Sequence, residues 1–442
     1  MIEWLIGVAG IMYGLNVWAE RISHQTDEDQ SAGLYVCGVP GTGKTTALYN
    51  RFIFKTLHGD GGLYVSTHGA WDLLNFIHPT NVKRAWVISP SKRRGIGINL
   101  MQRYTDTPAE RILIADHVTS LFKRLYERSW GDNIEDLIYG ACVAVLEASE
   151  DFSEQATIYD VYRFLQNPLE QAHVLKRVRN QVIRDAFENP VESSLLAAVR
   201  KLRRPLANES ILAVLADPQG LSLKDVMERR EILVADLDQG EIGEGTARFI
   251  AEVLMSRMQN LSLARPVSKD QPLFHCVFDE FQTYANSSIA SMIEENRKRR
   301  VPTVLAHQRS GQLSQNLQDA VKLCGSWWLF RLTPEDARSL VKAFPDTVEW
   351  QELALLPNYQ AVVKQQEGGY PRFRRWNMPP EPKRWGCHKA IWERSAGRPY
   401  EEIIEQVVKG PRVGSVSAES GSVQGGSAEL KPKGIPGPKE WV

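Results

Sequence analysis

The sequence has no excess charge of either sign and few cysteines. Lys plus Arg and Asp plus Glu each total 53 of 442 residues, so no global charge draws the chain onto nucleic acid or an acidic membrane. The five cysteines are odd in number, scattered, and never spaced as C-x-x-C. This pattern argues against a disulfide framework or a zinc site and favours a reducing cytosol. Contacts with nucleic acid therefore require local clusters of basic residues.

The sequence also lacks an apolar run long enough to cross a bilayer. The N-terminal run Trp4–Leu15 is almost wholly apolar but has only 12 residues, whereas a full span needs about twenty. It has no basic segment before it and no clear small-residue cleavage site, so a secretory signal is not expected. Residues 1–23 are consistent with a short membrane anchor bordered by Trp4 and Trp18, or with a packing or oligomerisation helix.

A glycine-rich loop lies between a short apolar run, Leu34–Cys37, and a helix-favouring segment. The loop from Gly38 to Thr45 fits G-x-x-x-x-G-K-[ST], in which backbone N–H groups surround phosphate oxygens. Lys44 would reach the terminal phosphates, and the Thr45 hydroxyl would ligate Mg²⁺. The alternative is a chance glycine turn. The strand before the loop favours a nucleotide site formed by Gly38, Pro40, Gly41, Thr42, Gly43, Lys44, Thr45 and Thr46.

The rest of the chain has the pattern of an α/β protein with a helical insertion. Apolar strands alternate with helical segments before residue 107 and after residue 220, which predicts a mainly parallel sheet. Residues 107–220 predict an inserted all-α domain, opened by Pro108 and including one amphipathic run over Leu169–Ala186. Residues 24–106 and 221–409 would then form one discontinuous domain. Residues 410–442 are rich in Gly, Ser, Pro and Lys and predict a disordered tail.

Two carboxylates close an apolar strand far from the glycine loop in the sequence. The segment from Phe274 to Phe278 is followed by Asp279 and Glu280. Phosphoanhydride hydrolysis needs one carboxylate that holds Mg²⁺ through water and a second that orients and deprotonates the attacking water. Asp279 suits the first role and Glu280 the second. By itself an Asp-Glu pair at a strand end is often only the start of a loop, but the glycine loop favours the catalytic interpretation.

The next predicted strand ends at Gln308, and a basic run precedes it. An amide beside the terminal phosphate can contact both that phosphate and the attacking water, although an ordinary polar strand end is the alternative. The basic run begins at Arg297, at the end of a helix. Its charges either complement the helix dipole or supply an arginine finger to a neighbouring subunit, where the finger would stabilise transition-state charge.

These segments resemble the HerA/FtsK superfamily of ring-forming ATPases, and within it the type IV secretion coupling proteins and the HerA-like translocases of bacterial mobile elements. The resemblance is carried by VCGVPGTGKTT, LVADLDQGEIGEGTARFIAEVL, VFDEFQ, NRKRRVPTVLAHQRSGQL and RLTPEDA. Members of this family have a glutamine after the strand that follows the Asp-Glu pair, and an arginine eleven residues before that glutamine. The resemblance places the glutamine at Gln308 and the arginine at Arg297. Arg331 is a second candidate for the arginine finger. The resemblance implies a RecA-like P-loop NTPase core that uses ATP and Mg²⁺. It also implies a homohexamer that threads double-stranded DNA through a central channel, in the bacterial cytoplasm or at the inner membrane.

Three functions follow as hypotheses. The first is an ATP-hydrolysing ring motor that translocates double-stranded DNA, with an inner-membrane or secretion-machinery partner and a nuclease or relaxase partner. Lys92, Arg93 and Arg94 are candidates for its channel loop, and a surface turn is the alternative for them. The second is a type IV secretion-type ATPase that handles or assembles proteins. The third is a nucleotide-gated scaffold without catalysis, which the presence of Lys44 and Glu280 argues against.

Overall fold

The computed structural model describes residues 29, 31–149, 155–285, 289–344, 348–368 and 370–409. The predicted N-terminal helix in residues 1–23 and the predicted tail over 410–442 lie outside these ranges. Within the described residues no helix is long and apolar enough to cross a membrane.

In the described part of the chain, nine strands form one mixed sheet and two short strands pair separately. The strands are β1 (Leu34–Cys37), β2 (Gly61–Ser66), β3 (Ala85–Ile88), β4 (Arg94–Gly95), β5 (Ile232–Asp236), β6 (Phe274–Asp279), β7 (Thr303–His307), β8 (Ser326–Leu329), β9 (Gln360–Glu367), β10 (Tyr370–Asn377) and β11 (Arg398–Pro399). The large sheet has the order β10-β9-β8-β1-β7-β6-β2-β5-β3. The seven strands from β8 to β3 run parallel, and β9 and β10 are antiparallel at one edge. The predicted α/β class with a mainly parallel sheet and a RecA-like core is confirmed.

Helices cover both faces of the sheet. They are α1 (Lys44–Leu57), α2 (Leu73–Phe76), α3 (Pro108–Leu125), α4 (Asp132–Ala148), α5 (Ile158–Gln166), α6 (Pro168–Leu175), α7 (Gln181–Asp185), α8 (Glu192–Leu206), α9 (Glu209–Leu215), α10 (Leu223–Glu228), α11 (Gln239–Ile242), α12 (Glu244–Ala264), α13 (Ile289–Lys298), α14 (Gln315–Val321), α15 (Pro334–Leu340), α16 (Trp350–Leu355), α17 (His388–Ser395) and α18 (Tyr400–Lys409). Side chains alternate along each strand, so β1 contributes to two apolar layers. Leu34 and Val36 pack with α1, and Tyr35 and Cys37 join the layer on the opposite face.

Only helices occur as regular elements between β4 and β5 in the described residues. The first of them, α3, begins as predicted at Pro108, and the Thr107 side chain caps it by accepting a hydrogen bond from Glu110 N–H. The run Leu169–Ala186, predicted as one helix, is instead split into α6 and α7. The division of the chain into an α/β domain and an inserted all-α domain stays a proposal.

The basic loop before β4 contacts its own chain. Arg93 Nη2 lies 2.7 Å from a carboxylate oxygen of Glu209 and 2.9 Å from one of Glu401. Arg94 Nε donates to the carbonyl of Ala396 at 2.8 Å, and the Lys92 ammonium lies over the ring of Trp71. The loop is therefore a surface turn whose two arginines contact the C-terminal segment. Lys92, Arg93 and Arg94 all remain exposed, and their use as a channel loop stays a proposal.

Candidate nucleotide-binding site

The order of the strands brings the predicted site residues to one edge of the sheet. Strand β7 lies between β1 and β6, with Cys37 opposite His307 and Asp279 opposite Ala306. The carboxyl ends of these three parallel strands therefore meet. The glycine loop follows β1, Gln308 follows β7, and Glu280 follows β6. Strands that are distant in the sequence thus supply one shared cleft, the usual location for a ligand in such sheets.

The loop from Gly38 to Thr45 has the backbone of a phosphate-binding turn. Gly41 and Gly43 have φ of 76° and 96°, a left-handed region that favours glycine. The buried Thr42 hydroxyl donates to the carbonyl of Val39 at 2.8 Å, which braces the turn. Helix α1 starts directly after Gly43, and no side chain caps its N-terminus. Its first N–H groups therefore have no side-chain acceptor, and a phosphate group fits that position.

Lys44 is buried beside the two predicted carboxylates. Its ammonium group donates to the carbonyl of Val39 at 3.2 Å. Burial lowers the pKa of Lys44, while the charges of Glu280 and Asp279 act in the opposite direction. These carboxylates keep the ammonium form favourable at a site from which water is largely excluded. A phosphate group would provide the same compensation.

Asp279 is held at the end of β6 by its neighbours. Burial, followed by the charge of Glu280, raises the pKa of Asp279 to about 6, although Lys44 and a hydrogen bond from Tyr64 oppose the rise. The Tyr64 hydroxyl on β2 donates to Asp279 Oδ2 at 3.2 Å. The sequence analysis did not identify Tyr64, because only the pairing of β2 with β6 brings it to the carboxylate.

Glu280 accepts hydrogen bonds from two amide side chains. Gln308 Nε2 donates to its Oε1 at 2.7 Å, and Gln282 Nε2 donates to its Oε2 at 2.7 Å. Glu280 itself has a φ of 52°, a left-handed conformation that costs a side chain with a Cβ roughly 1–2 kcal/mol. The turn and the two amides together fix the orientation of the carboxylate. Gln282 was not predicted as a site residue, although it lies within the VFDEFQ segment.

The two arginine candidates lie in different places. The carbonyl of Arg331 accepts a hydrogen bond from Val39 N–H at 2.8 Å, so this residue adjoins the loop of its own chain. Arg297 is exposed in the last turn of α13, which leads into the amino end of β7. That end of the strand is opposite to the edge with Glu280 and Gln308, so Arg297 is remote from the site of its own chain.

A tyrosine that the sequence analysis did not identify also contacts the loop. Tyr359 N–H donates to the carbonyl of Thr42 at 2.8 Å. A Cβ atom placed on Gly43 would lie only 2.6 Å from Cδ1 of the Tyr359 ring. Gly43 is therefore required both by its φ and by this close approach.

Thr45 is exposed in the first turn of α1, next to the open face of the loop. Among the described residues no three His, Cys, Asp or Glu side chains are grouped to hold a metal ion. An Mg²⁺ ion at this site would therefore depend on phosphate oxygens together with Thr45 and Asp279, as the sequence predicts. Few protein ligands and several shared oxygens are the usual arrangement for magnesium bound with a nucleotide.

Solved structures with a similar fold include the plasmid coupling protein TrwB and VirB4. TrwB in complex with ADP and Mg²⁺ has a TM-score of 0.59 and 13% identity, over 81% of this chain and 88% of that chain. TrwB with a non-hydrolysable ATP analogue has a TM-score of 0.58 and 15% identity, over 80% and 86%. VirB4 of Thermoanaerobacter pseudethanolicus has a TM-score of 0.56 and 15% identity, over 80% and 91%.

No protein-family model matches the chain, and no curated protein matches its sequence. The likeness to TrwB and VirB4 therefore concerns the fold, and it extends over most of each chain. The predicted resemblance to coupling proteins is confirmed at that level: this chain has the fold of the conjugative coupling protein TrwB.

Proposed function

We propose that the protein is an ATP-hydrolysing motor of the type used in type IV secretion. The observation that carries this proposal is the pair of hydrogen bonds that hold Glu280 beside Lys44 and the glycine loop. The likeness to TrwB, whose structures contain ADP with Mg²⁺ and an ATP analogue, supports ATP and Mg²⁺ as the ligands.

Each residue then has one role in hydrolysis. The loop N–H groups and Lys44 bind the phosphates, and Thr45 and Asp279 hold the magnesium ion, which neutralises phosphate charge. Glu280 orients the attacking water and accepts its proton, and Gln308 links that carboxylate to the terminal phosphate. Tyr64 positions Asp279, and Gln282 positions Glu280.

We further propose that the motor is a homohexamer that translocates double-stranded DNA through a central channel at the cytoplasmic side of the bacterial inner membrane. The fold shared with a conjugative coupling protein supports this. A net charge of zero is compatible with it, because a few basic residues in each subunit are repeated around a ring.

Arg297, remote from its own site, is proposed as the finger that enters a neighbouring site; Arg331 is the candidate within the same chain. A relaxase or a nuclease is the proposed partner.

A protein-handling secretion ATPase is the second candidate. The observation that favours it is the loop with Arg93 and Arg94, because both arginines are tied to the C-terminal segment. The fold resembles VirB4 about as closely as it resembles TrwB.

The steady-state ATPase rate, measured against protein concentration with and without long duplex DNA, tests the proposal. For a DNA-translocating ring, we expect the rate per subunit to rise cooperatively with protein concentration and to increase further when DNA is added. High salt should remove the increase caused by DNA. If the rate does not change when DNA is added, the ATPase assignment still holds, and the protein-handling candidate is favoured. Lys44→Ala is the control that should abolish nucleotide binding. If Lys44→Ala retained full activity, the ATPase assignment itself would be wrong.

A further inference from the structure

Tyr359 is fixed at the glycine loop by its backbone. It directly precedes β9, and the antiparallel pairing of β9 with β8 places Val362 opposite Leu329, at the same edge of the sheet as the loop. Its N–H donates to the carbonyl of Thr42 at 2.8 Å, and its own carbonyl accepts from Met378 N–H at 2.7 Å. These backbone hydrogen bonds therefore hold Tyr359 at a fixed position relative to the loop.

The conformation of Tyr359 is not one that a tyrosine adopts readily. Its φ is 61°, in the left-handed region that favours glycine and asparagine. The ring lies directly against the backbone of Gly43, where no Cβ intervenes. Residues held in such a conformation cluster at ligand sites, where the surrounding structure maintains them.

Core packing does not account for this tyrosine. The residue is 48% exposed, so part of it faces solvent beside the loop. Within the described part of the chain, its hydroxyl has no hydrogen-bond partner. The conformation thus holds a half-exposed aromatic ring next to the phosphate-binding turn.

The side of the loop on which Tyr359 lies indicates what the ring contacts. Glu280 and Gln308 follow β6 and β7, on one side of β1, and act at the terminal phosphate in the proposed function. Tyr359 lies on the other side of β1, next to β8. A nucleotide whose terminal phosphate faces Glu280 extends away from the carboxylates, toward the side with Tyr359.

We propose that the ring of Tyr359 is a stacking surface for the aromatic base of the bound nucleotide. This inference rests on the proposed function and adds a base subsite to it. A tyrosine ring whose hydroxyl makes no hydrogen bond can stack on any base, because every base has a π face. The subsite therefore contributes affinity for nucleotides over inorganic polyphosphates without selecting adenine by hydrogen bonds.

Equilibrium binding of ATP, ADP and inorganic tripolyphosphate by calorimetry tests this subsite. The variants are Tyr359→Gly and Tyr359→Asn, which tolerate the left-handed backbone without the ring, and Tyr359→Phe, which keeps it. Tyr370→Asn, on the exposed strand β10, is the matched control. Base stacking on an aromatic side chain is worth about five- to 150-fold in affinity.

We expect Tyr359→Gly and Tyr359→Asn to lose affinity for ATP and ADP within that range while binding tripolyphosphate like the unaltered protein. Tyr359→Phe and Tyr370→Asn should bind all three ligands normally. Unchanged ATP affinity in Tyr359→Gly would overturn the inference. An equal loss for ATP and tripolyphosphate would also overturn it, because the ring would then only support the loop. If the unaltered protein binds ATP no more tightly than tripolyphosphate, the base subsite alone is contradicted. If it binds neither ligand, the proposed function is contradicted as well.

Discussion

The Gln308 amide donates a 2.7 Å hydrogen bond to Glu280, across two neighbouring strands of the sheet. The second oxygen of the same carboxylate accepts from Gln282 at 2.7 Å. Glu280 is therefore oriented from both sides. A change at the terminal phosphate that moved Gln308 would be transmitted directly to the group proposed to activate water.

Glu280→Gln should bind ATP normally but hydrolyse it about 10²–10⁴-fold more slowly. The substitution keeps the size of the side chain and removes its ability to accept a proton. Single-turnover hydrolysis together with an ATP binding isotherm measures both effects. Glu402→Gln, at an exposed glutamate on α18, is the control and should leave both unchanged. Normal turnover in Glu280→Gln would show that another group is the base.

Gln282→Ala should lower kcat about tenfold and leave the Kd for ATP unchanged, because Gln282 acts on the position of Glu280 and not on the nucleotide. A double-mutant cycle separates this role from a direct one. If Gln282 acts through Glu280, its substitution has no further effect in the Glu280→Gln background. Independent, additive losses would contradict the positioning role.

Arg297→Ala should reduce hydrolysis about a thousandfold or more if the guanidinium enters the site of a neighbouring subunit. Mixing Arg297→Ala subunits with Lys44→Ala subunits should then restore partial activity, because some sites combine an intact Lys44 with an intact Arg297. Lys298→Ala, one residue further along the same helix end, is the matched control. A mixture with no activity would contradict a finger that enters the site of a neighbouring subunit.

The buried His275 should make the protein less stable as the pH falls below about 6.5. Its Nε2–H donates to Asp60 at 2.9 Å, and Arg51 donates to its Nδ1 at 3.4 Å, so the folded state requires the neutral ring. Burial, together with the charges of Arg51 and Lys55, lowers the pKa of His275 from 6.5 to about 4 despite the opposing effect of Asp60. Unfolding therefore takes up a proton between these values, and stability of about 3 kcal/mol, present above pH 6.5, is lost as the pH falls through about 4.

Urea unfolding from pH 4 to 7.5 measures this dependence. His275→Gln retains a donor and an acceptor but does not titrate, so its stability should depend less steeply on pH over this range. His58→Gln, at an exposed histidine on the same side of the molecule as Asp60, is the control. An equal pH slope in His275→Gln and the unaltered protein would contradict the assignment.

Much of the fold followed from local patterns. The strands β1, β5, β6 and β7 are short apolar runs that end at glycine or at a polar side chain, and strand formation needs little more than that pattern. The hairpin strand β10 was not predicted, because its YPRFRRWN segment is mostly exposed and lacks clear alternation. The split of Leu169–Ala186 was also missed, since its apolar spacing continues past the break between α6 and α7.

Local sequence signals were enough to identify the glycine loop with Lys44, the carboxylates Asp279 and Glu280, and the strand-end Gln308. Spacing along the chain is sufficient for these, because each is defined by the strand or turn that carries it. The position of β7 between β1 and β6 became known from the pairing of the strands in the folded chain. The contacts of Tyr64 and Tyr359 depend on which strands pair, and that is not encoded in the neighbouring residues. The contact of Gln282 with Glu280, two residues away, depends on the left-handed turn at Glu280.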